Sequence, residues 1–154
     1  MQKKITPPEA KTRIYRYCVY QERCHQEVKE KLFGFGLSSE EVNSILSDLI
    51  TDGFLNEERF AKAFAGGKFR VKGWGRLRII RELEARQLTS NCIRAGLKEI
   101  DDTDYTKMLR QLLTKKSETL DKSDLFLYKD RLSRYAIQKG YEPDLVWSML
   151  KEHF

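Results

Sequence analysis

A run of basic side chains in the middle of this 154-residue sequence is the feature best suited to chemistry, and that chemistry is the binding of a polyanion. Seven lysines and arginines occur within nineteen residues, opposed only by Glu82 and Glu84. Arginine can hold a phosphate or carboxylate through two parallel hydrogen bonds, and lysine attracts either as a point charge. The run consists of Lys68, Arg70, Lys72, Arg76, Arg78, Arg81 and Arg86.

The formal net charge of +6 is confined to this middle third of the chain. Residues 56–100 carry 11 basic and 5 acidic side chains, whereas residues 1–55 carry 8 of each and residues 101–154 carry 10 of each. Charge runs are usually solvated helix faces, but this one is unbalanced and has aromatic residues, Phe69 and Trp74, within it. A concentrated basic surface of this kind favours contact with nucleic acid or another polyanion.

Trp74 lies between two glycines inside the basic run and has two possible roles. Its ring could stack on a base of a single strand, or it could fill a junction between structural units, as buried aromatic side chains more often do. We predict that the binding surface consists of Lys68, Arg70, Lys72, Trp74, Arg76, Arg78 and Arg81. We expect neutralisation of Lys72, Arg76, Arg78 and Arg81 to weaken binding more than neutralisation of an equal-sized set in the last third, Lys129, Arg131, Arg134 and Lys139.

Residues suited to catalysis are sparse. His25 and His153 are the only histidines, and no serine or cysteine lies in a recognisable nucleophile motif. The glycines of the basic run lack the lysine and hydroxyl ending of a phosphate loop. An acidic cluster at residues 101–104 could suggest a metal-dependent nuclease, but carboxylates also stabilise the start of a helix. We therefore expect no enzyme activity, no metal and no cofactor.

The cysteines and the hydropathy indicate a reducing, non-membrane setting. The three cysteines, Cys18, Cys24 and Cys92, include no Cys-x-x-Cys pair and are expected to be free thiols. No apolar run approaches the roughly 18 to 20 residues that a membrane span needs. Residues 1–11 are polar and lack the apolar segment of a secretory signal. These observations predict a cytoplasmic protein.

The elements that position the basic run are predicted to be helices in a repeat of 51 and then 53 residues. Counted from Leu37, Leu88 and Tyr141, apolar residues recur at the same three offsets, nine before, five after and nine after. Helix-start signals accompany them, with Ser38 and Glu41 forming a capping box. Gly66–Gly67 interrupts one predicted helix, which should either bend there or meet another backbone.

This repeat predicts an all-α protein of three tandem three-helix units in an elongated, curved array. The predicted divisions are a flexible arm at residues 1–10 and units at residues 11–53, 54–101 and 102–154. A compact globule of nine helices is the structural alternative. Because small units cannot bury a large core alone, stability should depend on contacts between neighbours.

The middle unit also resembles the RecX family of regulators of the RecA recombinase. The resemblance rests on the spacing of three motifs, Phe54–Phe64, Lys72–Gly75 and Arg78–Leu83. The chain departs from the family after Gly75, where relatives often carry proline and this sequence continues with arginine. Within the first motif, we expect Arg59 to tie a helix start to its neighbour.

The resemblance implies a partner and a function. Proteins similar to this one bind the RecA filament on single-stranded DNA, lie along its groove and inhibit strand exchange and coprotease activity. Apart from the resemblance, we expect a monomer, because short repeat units stack in a row without folding back, and no membrane partner. Two alternatives stay open on the residues alone, namely a general helical nucleic-acid-binding protein and an interaction scaffold whose basic face meets an acidic protein.

Overall fold

A computed structural model of the chain describes residues 5–154, and that range contains nine α-helices and no β-strand. The substantial helix–helix contacts fall within three consecutive groups of three helices. The predicted all-α architecture of tandem three-helix repeats is confirmed, while the predicted unit boundaries stay predictions. The helices are α1 (Pro7–Tyr20), α2 (His25–Gly34), α3 (Ser39–Thr51), α4 (Glu57–Lys72), α5 (Arg76–Ala85), α6 (Ser90–Leu97), α7 (Asp102–Ser117), α8 (Leu125–Gln138) and α9 (Pro143–His153).

The first helix begins at Pro7, so the expectation of a flexible arm is wrong for residues 7–10. The side chain of Thr6 accepts a hydrogen bond from the backbone N–H of Glu9, and the two prolines occupy positions where a helix needs no N–H donor. The N–H of Ile5 donates to the carbonyl of Phe35 at 3.0 Å, which holds this end against the first unit. Residues 1–4 of the expected arm lie outside the described part of the chain.

Other helix starts follow the predicted caps. The hydroxyl of Ser38 accepts from the N–H of Glu41, whose carboxylate accepts from the N–H of Ser38 in return, completing the capping box. The side chain of Asn56 caps α4 by accepting from the backbone N–H of Arg59. The side chain of Thr89 caps α6 by accepting from the backbone N–H of Cys92. These local contacts explain why the spacing alone located the helices.

The repeat positions predicted to be apolar face the interior. Three of these residues, nine before the reference residue of each repeat, are fully buried, namely Val28, Ile79 and Leu132. Leu150, nine residues after Tyr141, is fully buried as well. Among the described residues, the buried side chains form two hydrophobic clusters, one within α1–α3 and one shared by α4–α9. The shared cluster also takes in Cys24 from the first unit. The second and third units are therefore stabilised by a common core.

The accessible surface of the protein is larger than a compact shape would give. It measures 9641 Å², against roughly 8,100 Å² expected for a compact protein of this mass. The excess supports the extended array over a nine-helix globule. Within residues 5–154, no helix combines the length and the apolar character that crossing a membrane requires.

Helix α4 runs through Gly66 and Gly67 without a break. A Cβ on Gly66 would first meet the guanidinium of Arg70, and a Cβ on Gly67 would have nothing within 4 Å. Among the described residues, no other backbone is nearest to a Cβ at Gly66 or within 4 Å of one at Gly67, so the expected close approach of another backbone is wrong, while the expected bend stays a prediction. Gly67 is a helical position where a side chain could be added freely.

We expect Gly67→Ala to raise the free energy of unfolding by about 1 kcal/mol, because alanine loses less backbone entropy in a helix than glycine. Urea denaturation measures the change. Gly96→Ala is the control, since a Cβ there would lie 2.7 Å from the carbonyl oxygen of Ala61, where α6 crosses α4. That variant should be less stable than the parent, and equal stability of both variants would contradict the packing described here.

The three cysteines differ in their environments. Cys24 is fully buried, and burial, together with a hydrogen bond to the side chain of Glu27, raises the pKa of its thiol to about 12. Burial also raises the pKa of Cys18. Cys92 is only partly buried. Because the thiolate is the reactive form, alkylation at pH 8 should modify Cys92 first and Cys24 last, as followed by mass spectrometry. Early modification of Cys24 would contradict this order.

Candidate nucleic-acid interface

The seven predicted binding residues separate into three groups around the end of α4 and the start of α5. Lys68, Trp74 and Arg78 come together, and Arg81 extends this group along α5. Arg76 turns into the contact between the second and third units. Arg70 and Lys72 line a groove shared with the third unit. The sequence therefore placed these residues near one another, but the fold gives them different surroundings.

Trp74 is the centre of the first group, which we call the Trp74 cluster (Phe64, Lys68, Trp74 and Arg78). Gly73 ends α4 in the left-handed conformation, with φ of 68°, and so turns the chain back toward the helix. The ammonium of Lys68 lies 5.0 Å and the guanidinium carbon of Arg78 lies 4.1 Å from the centre of the indole ring. Both distances are within the range of cation–π attraction.

The indole ring also packs inward. Trp74 is half-buried against the shared core of α4–α9, and its ring centre lies 6.2 Å from that of Phe64 in an edge-on arrangement. This packing supports a structural role for Trp74, while base stacking stays a prediction. Phe64 was not among the predicted binding residues, although its position one helical turn before Lys68 was a signal that could have found it.

Arg81 lies three residues after Arg78 on α5, so the two share a helix face. Arg81 is exposed. Within residues 5–154, neither arginine has a carboxylate partner among the ion pairs of the structure. Their charges are therefore available to a ligand. Arg86, by contrast, pairs with Glu82 at 3.0 Å and lies over Phe64 at 4.8 Å.

Arg76 connects the second unit to the third. Its guanidinium donates to Asp102 at 2.5 Å and to Glu142 at 3.2 Å, and its carbon atom lies 3.8 Å from the ring centre of Tyr105. The backbone N–H of Arg76 donates to the hydroxyl of Tyr105 at 2.9 Å. Its cation is thus already paired in the folded protein, and its predicted role in binding stays untested.

Two tyrosines complete this contact. The hydroxyl of Tyr105 donates to Glu142, and its ring stacks on that of Tyr141 with centres 4.9 Å apart. Burial first, and then the hydrogen bond to Glu142, raise the pKa of Tyr105 well above its usual value, and burial does the same for Tyr141. Both hydroxyls therefore stay protonated, and that of Tyr141 donates to the carbonyl of Gly73 at 3.0 Å.

The backbones of the two units touch at Gly75 and Gly140. The N–H of Gly75 donates to the carbonyl of Lys139, and the N–H of Leu77 donates to the carbonyl of Gly140, each at 2.9 Å. A Cβ on Gly75 would lie 2.3 Å from the carbonyl carbon of Gly140. The second glycine of the Gly-Trp-Gly motif is therefore required, because two backbone segments of the chain approach closely there. We call this contact, with the Arg76 and tyrosine contacts, the unit junction.

Arg59, a residue of the first family motif, has the structural role expected for it. Its guanidinium donates to Glu22 at 2.5 Å and to the carbonyl of Gly53 at 3.0 Å. Nearby, the carboxylate of Glu57 accepts from the N–H of His25 at 3.0 Å. These bonds attach the start of α4 to the first unit.

The acidic cluster at residues 101–104 lies at the start of α7. Among residues 5–154, no three histidine, cysteine or acidic side chains lie close enough to hold a metal ion together. Asp101, from the acidic cluster, caps α7 by accepting from the N–H of Asp104 at 3.0 Å. The cluster therefore has the helix-start role that was weighed against a metal site.

Comparison with known proteins shows which proteins this chain is similar to. Residues 56–97 match the model of the second three-helix domain of RecX. The chain is 24% identical to a regulatory protein RecX of Amycolatopsis mediterranei, covering 95% of this chain and 86% of the relative. It is 29% identical to a regulatory protein RecX of Chromobacterium violaceum, covering 84% and 80%. Some matched relatives are longer, and the chain spans about half of their length.

The fold agrees with these matches. The crystal structure of RecX from Lactobacillus salivarius superposes with a TM-score of 0.84 at 17% identity, covering 95% of both chains. At that identity the likeness establishes the fold, whereas the similarity to RecX proteins in sequence comes from the matched domain and the curated relatives. The resemblance that the sequence indicated is confirmed.

Proposed function

We propose that this chain, which is similar to RecX regulatory proteins in sequence and fold, binds the filament that a RecA-type recombinase forms on single-stranded DNA and inhibits the recombinase and its coprotease activity. The observation that supports this most is the presence of unpaired cations around Trp74 within the matched domain. A cytoplasmic monomer without catalytic activity is part of the proposal.

The geometry suits contact with a charged filament. Lys68, Arg78 and Arg81 have no carboxylate partner among the described residues, so no ion pair must break before they meet a phosphate or an acidic side chain. The extended array of helices supplies a long surface to lie along a filament. The unit junction holds the second and third units together, so their surfaces can act as one.

A strand-exchange and ATPase assay tests the proposal. Titrating the protein into RecA on single-stranded DNA should lower both activities, with the loss reaching completion as the protein saturates the filament. Unchanged activities at a molar excess of this protein over RecA would contradict the proposal. Light scattering of the free protein at the same concentrations should give the mass of one chain.

A general nucleic-acid-binding protein is the second candidate, because the Trp74 cluster alone could bind a single strand without a recombinase. Such a protein would compete with RecA for DNA, so inhibition would disappear when DNA is in excess. A regulator that recognises the filament would still inhibit under that condition. The order of addition separates the two further, since a competitor acts poorly on a filament that has already formed.

A further inference from the structure

A groove of about 420 Å³ opens between the end of α4 and the facing sides of α7 and α8. Five basic side chains line it, and no acidic side chain of the described chain does. Two of them come from the middle unit and three from the third unit, which has no net charge of its own. We call it the lysine groove; its basic residues are Arg70, Lys72, Lys115, Lys116 and Lys139.

The lining of the lysine groove between these cations is apolar. Val71 is 80% exposed there, and Met108 and Leu112 are half-buried beside it. The ring of Tyr135 lies 5.1 Å from the ammonium of Lys116. A ligand that fits such a groove has repeated negative charges and apolar or aromatic surface between them.

Stabilisation of the helix dipoles does not by itself explain this arrangement. Lysines near the C-terminal ends of α4, α7 and α8 complement the partial negative charge of those ends, typically by about 0.3–1 kcal/mol each. That effect operates separately at each helix and does not require three helix ends to share one groove. Here the ends of α4 and α8 are joined, because the ammonium of Lys139 donates to the carbonyl of Lys72 at 3.1 Å.

The backbone at the end of α4 offers little to a peptide. The carbonyl of Lys72 accepts from Lys139, and that of Gly73 accepts from Tyr141. An extended peptide is usually recognised through free main-chain groups along a sheet edge, and the groove is lined by helices. Recognition through charge and apolar surface therefore fits the groove better than strand pairing.

The lysine groove and the Trp74 cluster both include residues of α4. Lys72 follows Lys68 by one turn on α4, so both project from the same face of the helix. A polymer that contacts Lys68 beside Trp74 can thus extend past Lys72 toward Lys115 and Lys116. Single-stranded nucleic acid has this form, with regularly spaced phosphates and bases that contact aromatic and apolar side chains.

We infer that the lysine groove binds the phosphate backbone of single-stranded nucleic acid. Lysines of the third unit then contact phosphates too, although the charge along the sequence had pointed to the middle unit alone. The inference extends the proposed function by naming the ligand and its path across the unit junction. It rests on that function only in taking nucleic acid as a partner.

The test uses the free protein, a fluorescent oligo-deoxythymidine and no recombinase. Each phosphate contact contributes about 0.7 to the slope of log affinity against log salt for a single strand, so K115Q/K116Q should lower the slope by about 1.4 and weaken binding about 25-fold at roughly 0.1 M salt. Lys115 is exposed and Lys116 is half-buried, and glutamine is also a good helix former, so the variant should keep the helical content of the parent by circular dichroism.

K122Q/K151Q is the matched control. It removes the same charge from the third unit, outside the groove, and Lys122 lies 5.6 Å from the ring of Tyr128 much as Lys116 lies over Tyr135. Its affinity should stay within about twofold of the parent, since it removes no phosphate contact. Equal losses in the two variants would mean that only net charge matters and would overturn the inference.

Two further outcomes would also overturn it. One is an unchanged slope with K115Q/K116Q, including the case in which only stability falls, as expected for lysines that serve the helix dipoles alone. The other is a K115Q/K116Q variant that still binds the oligonucleotide but no longer binds poly-glutamate, which would make the groove a site for acidic peptides. Either result would leave the proposed regulation of a recombinase standing if K115Q/K116Q still inhibits strand exchange.

Discussion

Replacing Gly140 with alanine is expected to open the unit junction and to lower the free energy of unfolding by about 4 kcal/mol. Gly140 has φ of 107°, a conformation that costs an alanine about 1–3 kcal/mol. An added Cβ would lie 2.4 Å from the Cβ of Arg78, an overlap that only movement of α5 away from α8 could relieve. That movement would break the hydrogen bonds from Gly75 and Leu77, worth about 1 kcal/mol each.

Chemical denaturation followed by circular dichroism measures this effect. Gly75→Ala should cost a similar amount, because its Cβ would lie 2.3 Å from the carbonyl carbon of Gly140. Gly34→Ala is the control, since a Cβ there has nothing within 4 Å and the residue has no positive φ. A loss below about 1 kcal/mol for both junction variants would show that the two backbones do not meet as described.

Removing the free cations of the Trp74 cluster and its extension should have the largest effect on binding. K68Q/R78Q/R81Q removes three charges that have no carboxylate partner among the described residues. Three lost phosphate contacts lower the salt slope by about 2 and weaken binding to the DNA-loaded filament by about 100-fold at roughly 0.1 M salt. Inhibition of strand exchange should require correspondingly more protein.

The control for this variant is K129Q/R131Q/R134Q, which removes three charges from the third unit away from the lysine groove. Arg76 is left out of the first set because its loss would disturb the junction through Asp102 and Glu142 and would confuse binding with folding. Stronger impairment by the control set, with both variants folded, would make the basic middle unit a solvated face and would refute the assignment of the site.

Local signals in the sequence were enough to predict the helices and their repeat. Capping by Ser38 and Asn56 involves atoms three residues apart, and the buried stripe through Val28, Ile79 and Leu132 follows from the helical period. Thr6 and the two prolines after it show the limit of such rules, since a helix begins at Pro7, within the residues that were expected to form a flexible arm. The family motifs pointed to the segment that carries the candidate binding surface, because all three motifs lie within the second unit.

The sequence by itself therefore determined the helices, their repeat and the segment that carries the charge. Only the tertiary structure decided which cations are free. Arg76 looks like its neighbours along the chain, yet its carboxylate partner Glu142 lies 66 residues away, and the lysines that face Arg70 and Lys72 come from α7 and α8. The physical reason is that the docking of one unit on the next depends on contacts such as Gly75 against Gly140, which no local spacing encodes.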